Sequence, residues 1–294
     1  MIKRIDGLPA VLTCFAYREE YFPEMEGMLA TIREHHPDWP IVVGRGPLRG
    51  LDAQTLEVES PAGKRHWTIP VSLDLDQSEN DWLKIVRVKG WWVARVWHEF
   101  GHLVDGDFNR IVWSDADARF NGPLDVEMDP TAEVIAGPWW YDRENRGYDV
   151  ICSGLLVFQG ARHGVIGRIV DQWSSKCLSE IPNLPVEDRP WPKSDQEVLT
   201  EVMQDFTDNN ADYTLLKLEH EKYVGCPVRD GKLARRALVD SWYMIEKMRL
   251  PETRGMNWPP PEEYRRNAAI GTPVPGWDPD AGLPMKEDES GGSS

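Results

Sequence analysis

The sequence predicts an α/β domain: a mixed, mostly parallel sheet flanked by helices, with a C-terminal helical and Pro-rich extension. Three observations lead there. Residues 9–16, PAVLTCFA, form an apolar run of strand length. Residues 21–35 then place Phe22, Met25, Met28, Leu29 and Ile32 at helical spacing, and residues 40–44, PIVVG, make a second short apolar run. Strand, helix and strand at that spacing form a βαβ unit, whose crossover brings the two strands together in parallel.

The remaining elements follow in order. Residues 45–80 are mixed and turn-rich and receive no assignment. In residues 83–100, Ile85, Val88, Trp92, Val96 and Phe100 share one face of an amphipathic helix. A turn at 104–109 leads into the buried strand 110–114, RIVWS. Residues 132–139 and 149–158 read as further strands, and 165–177 and 195–205 as helices. Composition shifts at 251 to Pro-rich and charged sequence ending in KEDESGGSS. This divides the chain into a domain over 1–250 and an extension over 251–294, the last ten or so residues of which are expected to be disordered.

At 294 residues the chain buries a large core without disulfide or metal staples. Its 33 basic and 49 acidic residues give a net charge of -16. That balance opposes sequence-independent nucleic-acid binding, which gains its affinity by neutralising phosphates with Lys and Arg. Cys14, Cys152, Cys177 and Cys226 form no C-x-x-C pair and match neither a zinc framework nor a disulfide-rich secreted pattern. No run approaches the roughly 18 apolar residues of a membrane span, and the early apolar run lacks a signal-cleavage pattern. The expected location is the cytoplasm. The 14 tryptophans suit core packing, or stacking on sugar faces in a wet site.

Asp115 and Asp117 carry the chemistry. Two carboxylates at i and i+2 directly after a buried strand stand at the carboxyl edge of the sheet, where open α/β sheets bind ligands. Hard oxygen donors suit Mg²⁺ or Mn²⁺, which leave coordination positions to water and substrate phosphates. Asp-x-Asp also occurs at Asp74/Asp76, Asp105/Asp107 and Asp278/Asp280. Those pairs lie in an unassigned polar stretch, a Gly-containing turn and the Pro-rich tail, so only Asp115/Asp117 terminates a convincing strand. A solvated strand-end turn is the plainer alternative.

KGWWVARVWH over 89–98, RIVWSDAD over 110–117, CSGLLVF over 152–158 and SDQEVL over 194–199 together resemble the ordered motif series of GT-A glycosyltransferases. The resemblance spans about residues 9 to 200. It implies a GT-A, Rossmann-like nucleotide-sugar fold and a sugar transferred from a nucleoside-diphosphate donor to an acceptor hydroxyl. The acceptor is expected to be a saccharide, with a modified DNA base as the alternative; Arg235, Arg236, Arg254, Arg265 and Arg266 offer that base a local basic surface. It also implies a divalent cation, Mn²⁺ or Mg²⁺, against the diphosphate. Asp117 would be its direct ligand, and Asp115 would reach it through water or contact the donor ribose. Two other classes share the plan. One is a nucleotidyltransferase, disfavoured because CFAYREE follows the first strand where a Gly-rich basic loop is expected. The other is a non-catalytic nucleotide-sugar-binding module.

Further residues take candidate roles, Lys89, Ser153, Gly154, Asp195 and His220 from the same resemblance and the others from the residues themselves. Lys89 is placed to reach donor phosphates, or is a solvated surface lysine; Arg87 and Arg95 are weaker candidates. Ser153 and Gly154 stand where donor and acceptor contacts are made, or form a simple turn. Asp195 contacts the acceptor or acts as a base, or merely starts a helix capped by Ser194 with Glu197. His220 is a candidate third metal ligand. Of Trp139, Trp140 and Tyr141, at least one is expected to line the donor or acceptor groove, with Trp139 the chosen candidate. His35 and His36 read as cations at a helix end.

Overall fold

The computed structural model describes residues 2–17, 21–46, 56–59, 65–71, 81–104, 108–142, 148–180, 193–225, 228–229, 232–233, 239–241 and 272–273. The pairs Asp74/Asp76, Asp105/Asp107 and Asp278/Asp280 lie outside these residues. So do Arg235, Arg236, Arg254, Arg265, Arg266 and all of 251–294 except Thr272–Pro273.

Among the described residues nine strands form the central sheet: β1 Val11–Tyr17, β2 Ile41–Gly46, β3 Leu56–Glu59, β4 Arg65–Pro70, β5 Asn109–Ser114, β6 Val134–Asp142, β7 Tyr148–Ile151, β8 Leu155–Gly160 and β9 Thr214–Glu219. Their order is β7-β6-β8-β5-β1-β2-β4-β3, with β9 pairing along β6. Strands β1, β2, β4, β5, β6 and β9 run one way, and β3, β7 and β8 run against them. The sheet is therefore mixed and mainly parallel. It is flanked, among the described residues, by helices α1 Phe22–His35, α2 Asp81–Glu99, α3 Val165–Glu180 and α4 Asp195–Asp208. Helix α1 packs Met25, Met28, Leu29 and Ile32 on one face, while the buried stripes of α2, α3 and α4 share the core on the other.

Local chemistry sets the helix limits. Pro23 sits in the first turn of α1, where its missing N–H costs nothing. The helix stops at His36, because the residue before Pro37 is disfavoured in helical conformation. The core of the α2–α4 face is built on Trp92, Trp97, Trp113 and Trp173, each almost fully buried. At about 25 cal/mol per Å² and 150–250 Å² per ring, each contributes about 4–6 kcal/mol as an upper value. Their indole N–H groups are satisfied: Trp92 donates to Thr13 Oγ1 at 2.8 Å and Trp97 to the Arg162 carbonyl at 2.9 Å.

The structure differs from the sequence reading in places. Residues 45–80 contain β3 and β4, and β9 was not anticipated. In β4, Trp67 and Ile69 are buried in the core and alternate with the half-buried His66, Thr68 and Pro70. The single strand expected over 149–158 is two strands, β7 and β8, separated by a turn at Ser153–Gly154. His36 is not a helix-end cation. Its Nε2 accepts a hydrogen bond from the Leu124 N–H at 2.9 Å, its ring stacks on Trp39, and burial, with His35 adding to it, pushes its pKa down to about 4. No helix among the described residues is long and apolar enough to cross a membrane.

His36 and His66 give the fold an acid limit. Burial, together with Arg33 and Arg45, pushes His66 down to about 4 as well, against an ordinary value of 6.5 for both. The unfolded chain therefore binds more protons between those values. Stability is intact above pH 6.5 and falls as pH drops towards 4, by about 1–3 kcal/mol per histidine. Urea unfolding at pH 7 and pH 4.5 should show this loss. His36→Gln, which keeps an acceptor without the titration, should reduce it; an unchanged loss would contradict the assignment.

Candidate functional site

In an open α/β sheet, ligands bind at the carboxyl ends of the strands where successive crossovers diverge. Here that point lies between β1 and β5. The chain leaves β1 through α1 to reach β2 on one side, and arrives at β5 through α2 on the other. Asp115 directly follows β5 at this crevice. A turn closed by the Ala118 N–H on the Asp115 carbonyl at 3.1 Å then carries Asp117, which is half-buried.

Lys89 organises the site. It stands within α2 rather than at its start, and it is 7% exposed, so it is not a surface lysine. Its ammonium donates to Asp115 Oδ1 at 2.8 Å and to Ser153 Oγ at 2.9 Å, and the Ser153 carbonyl lies at 3.3 Å. Asp195 Oδ2 is 3.2 Å away, and the ammonium sits 5.2 Å from the Trp113 ring centre. Burial alone would lower the Lys89 pKa. Asp115 and then Asp195 outweigh it, and the net shift is upward, so the group is a cation at neutral pH. Burial raises the Asp195 carboxyl, while Lys89 and a hydrogen bond from Ser153 draw it back.

Asp195 is in the first turn of α4 and is 3% exposed. It does not cap the helix. Ser194 and Glu197 form the capping box, with the Ser194 N–H donating to Glu197 Oε2 at 2.7 Å, which leaves the Asp195 carboxylate to face Lys89. Two further groups hold this helix start: Trp173 Nε1 donates to the Asp195 carbonyl at 2.9 Å, and Arg87 donates to the Lys193 carbonyl. Arg95 instead pairs with Glu99 on the outer face of α2.

The Asp115 carboxylate is held at one oxygen and open at the other. Oδ1 accepts from both Lys89 and Trp113 Nε1, the latter at 3.1 Å. Oδ2 faces Gly154, where an added Cβ would come to 3.4 Å from it. The side chain is 39% exposed. Among the described residues no three His, Cys, Asp or Glu groups converge as a metal cage. What the site offers is two carboxylates on one turn, a donor set that suits a hard cation completing its shell with water and phosphate oxygens.

His220 opens the short helix His220–Tyr223, and Val224, just beyond it, lies 3.9 Å from a Cβ built on Gly154. The chain continues into a small sheet in which Val224–Gly225 pairs with Val239–Ser241, and that strand with Ala118–Phe120, straight after Asp117. Trp139 packs against the α2–α4 core, with the Lys217 ammonium 4.5 Å from its ring centre. Cys152, beside Ser153, is pushed up to about 11 chiefly by burial and stays a thiol. Sequence reasoning overlooked the supporting groups. Trp113 was legible, because residues two apart on a strand share a face and Asp115 is two residues on. Trp173 was not, since only the tertiary packing of α3 brings it to Asp195.

No protein-family model and no curated protein matches this chain. Among solved structures it is similar to the galactosyltransferase LgtC in complex with donor and acceptor sugar analogues, at 11% identity over 73% of this chain and 75% of that one, with a TM-score of 0.39. It is also similar to the bifunctional glycosyltransferase WbbM, at 11% identity over 74% of this chain and 40% of that one, with a TM-score of 0.43. A third is a glycosyltransferase involved in glycosylation of the major capsid of PBCV-1, at 10% identity over 74% and 85%, with a TM-score of 0.40.

The buried cluster predicts a definite coupling. Lys89→Met leaves Asp195 buried without its cation and should cost about 3–5 kcal/mol of stability. Asp195→Asn in the same chain should recover a large part of that loss. Urea unfolding of both single variants and the double variant measures it, and simple addition of the two single losses would mean that the groups are not coupled.

Proposed function

We propose that this chain is a GT-A type glycosyltransferase, moving a sugar from a nucleoside-diphosphate donor to an acceptor hydroxyl with the help of Mn²⁺ or Mg²⁺. One observation carries the reading. At the crevice between β1 and β5, a buried lysine joins the strand-end Asp115 to Ser153 and to the helix-start Asp195. The ordered motif series of the sequence points the same way.

The chemistry asks for two things: charge stabilisation at the departing diphosphate, and a polar group at the sugar or acceptor. Asp117 and the open oxygen of Asp115 would hold the cation, with His220 on the neighbouring turn as a further candidate ligand. When bound, the cation supplies Lewis-acid stabilisation of the leaving diphosphate and orients the donor. Lys89 keeps Asp115 aimed through its hydrogen bond to Oδ1, which spares the site a reorganisation step when the donor arrives. Asp195, held by Lys89 and Ser153 and drawn up by burial, would contact the sugar or the acceptor hydroxyl. Trp139 would supply the aromatic wall of the donor or acceptor groove. A saccharide is the acceptor class proposed.

A panel of nucleotide sugars incubated with Mn²⁺ should show slow donor hydrolysis, accelerated by the right acceptor. Asp117→Ala should abolish metal-dependent donor binding while retaining a cooperative melt. Asp195→Asn should lower turnover by about 10²-fold or more with little change in donor affinity. Full turnover by Asp117→Ala in metal-free buffer would sink the proposal.

A further inference from the structure

Helix α1 makes an unusual set of buried polar contacts to the chain that follows Asp117. Glu24, Gly27 and Thr31 fall at i, i+3 and i+7 and so share one face, distinct from the apolar stripe on the sheet. Arg119, two residues after Asp117, reaches this face. Its guanidinium donates to Glu24 Oε2 at 2.8 Å, to the Glu24 carbonyl at 3.0 Å and to its neighbour's carbonyl at Ala118 at 2.7 Å. The group lies flat over Gly27, where a Cβ would stand only 2.3–2.9 Å from its atoms. One turn on, Thr31 Oγ1 accepts from the Phe120 N–H at 3.0 Å; beyond the helix, His36 accepts from the Leu124 N–H. Glu24, Arg119, Thr31 and His36 are all buried.

Stability alone gives little reason for such an arrangement. A buried ion pair loses its hydration, and well-packed apolar residues in its place are often neutral or better. What the pair provides is direction. A planar guanidinium with several fixed acceptors sets the register of one backbone segment against one helix.

We propose that α1 is a splint for the Asp115–Asp117 turn and that Arg119 is its positioning residue, held by Glu24 and seated over Gly27. The inference rests on the metal-site reading given above. Glu24 also neutralises a cation that would otherwise stand buried two residues from the proposed ligand Asp117.

The test is Mn²⁺ binding in the presence of a nucleoside diphosphate, followed by the electron-spin-resonance signal of free Mn²⁺, with a melting curve on each preparation. The variants are Glu24→Gln, Arg119→Lys and the gentler Thr31→Val, which leaves the ion pair intact. Glu24→Gln and Arg119→Lys should melt cooperatively but bind Mn²⁺ about 10-fold or more weakly, as partners behind a metal ligand do when altered. Turnover at saturating Mn²⁺ should change much less. Thr31→Val should shift affinity in the same direction. Lower melting temperatures with unchanged Mn²⁺ affinity would reduce the contacts to packing and overturn the splint. Absence of Mn²⁺ binding by the wild-type chain would overturn the metal reading itself, and the splint with it; wild-type binding lost in Asp117→Ala but normal in the α1-face variants would overturn the splint alone.

Discussion

A single ammonium group ties the crevice together. Lys89 comes from the middle of a helix, yet its partners come from the end of β5, the turn between β7 and β8, and the first turn of α4. Removing a charge from water costs several kcal/mol, so it survives at 7% exposure only because anionic and polar groups surround it. The constraint is mutual. Asp195 is tolerated in the interior because of Lys89, and Lys89 because of Asp115 and Asp195. The positions of the strand end, the turn and the helix start are thereby coupled.

The tryptophan-rich core serves this arrangement rather than standing apart from it. Trp113 and Trp173 are buried to the same degree as Trp92 and Trp97, but their N–H groups end on Asp115 and on the backbone of Asp195. Rings that fill the space between sheet and helices also orient the polar groups at its rim. A large rigid side chain with one donor suits that double duty, since packing sets the ring and the ring sets the hydrogen bond.

Much of this was legible in the sequence. The first βαβ unit, helix α2 and strand β5 carry strong periodicity, and Asp115/Asp117 stood out because a buried strand precedes it. The break at Ser153–Gly154 was half legible: a turn there was one of the two readings, but the residues on either side are apolar enough to read as one strand. Strand β9 was hidden for another reason. Its leucines are only half-buried and its other residues exposed, so hydrophobic pattern marks it weakly, and its pairing with β6 is a tertiary event. The burial of Lys89 was invisible as well, since a lysine on an amphipathic helix reads equally as a solvated group.

The long sequence separations around Lys89 bear on how the chain assembles. From Lys89 to Asp195 is a span of more than a hundred residues, and β9 must reach β6 in parallel after α3 and α4 have both crossed. Such non-local pairings come late, because loop closure is charged before any contact rewards it. During synthesis β1, α1 and β2 emerge together, but β1 still awaits β5 and α1 awaits Arg119, and the crevice waits longer, until the ribosome delivers α4. Until then Lys89 has only part of its counter-charge, and the rim of the sheet stays hydrated. The region on which the proposed chemistry depends is thus closed by one of the latest elements to arrive.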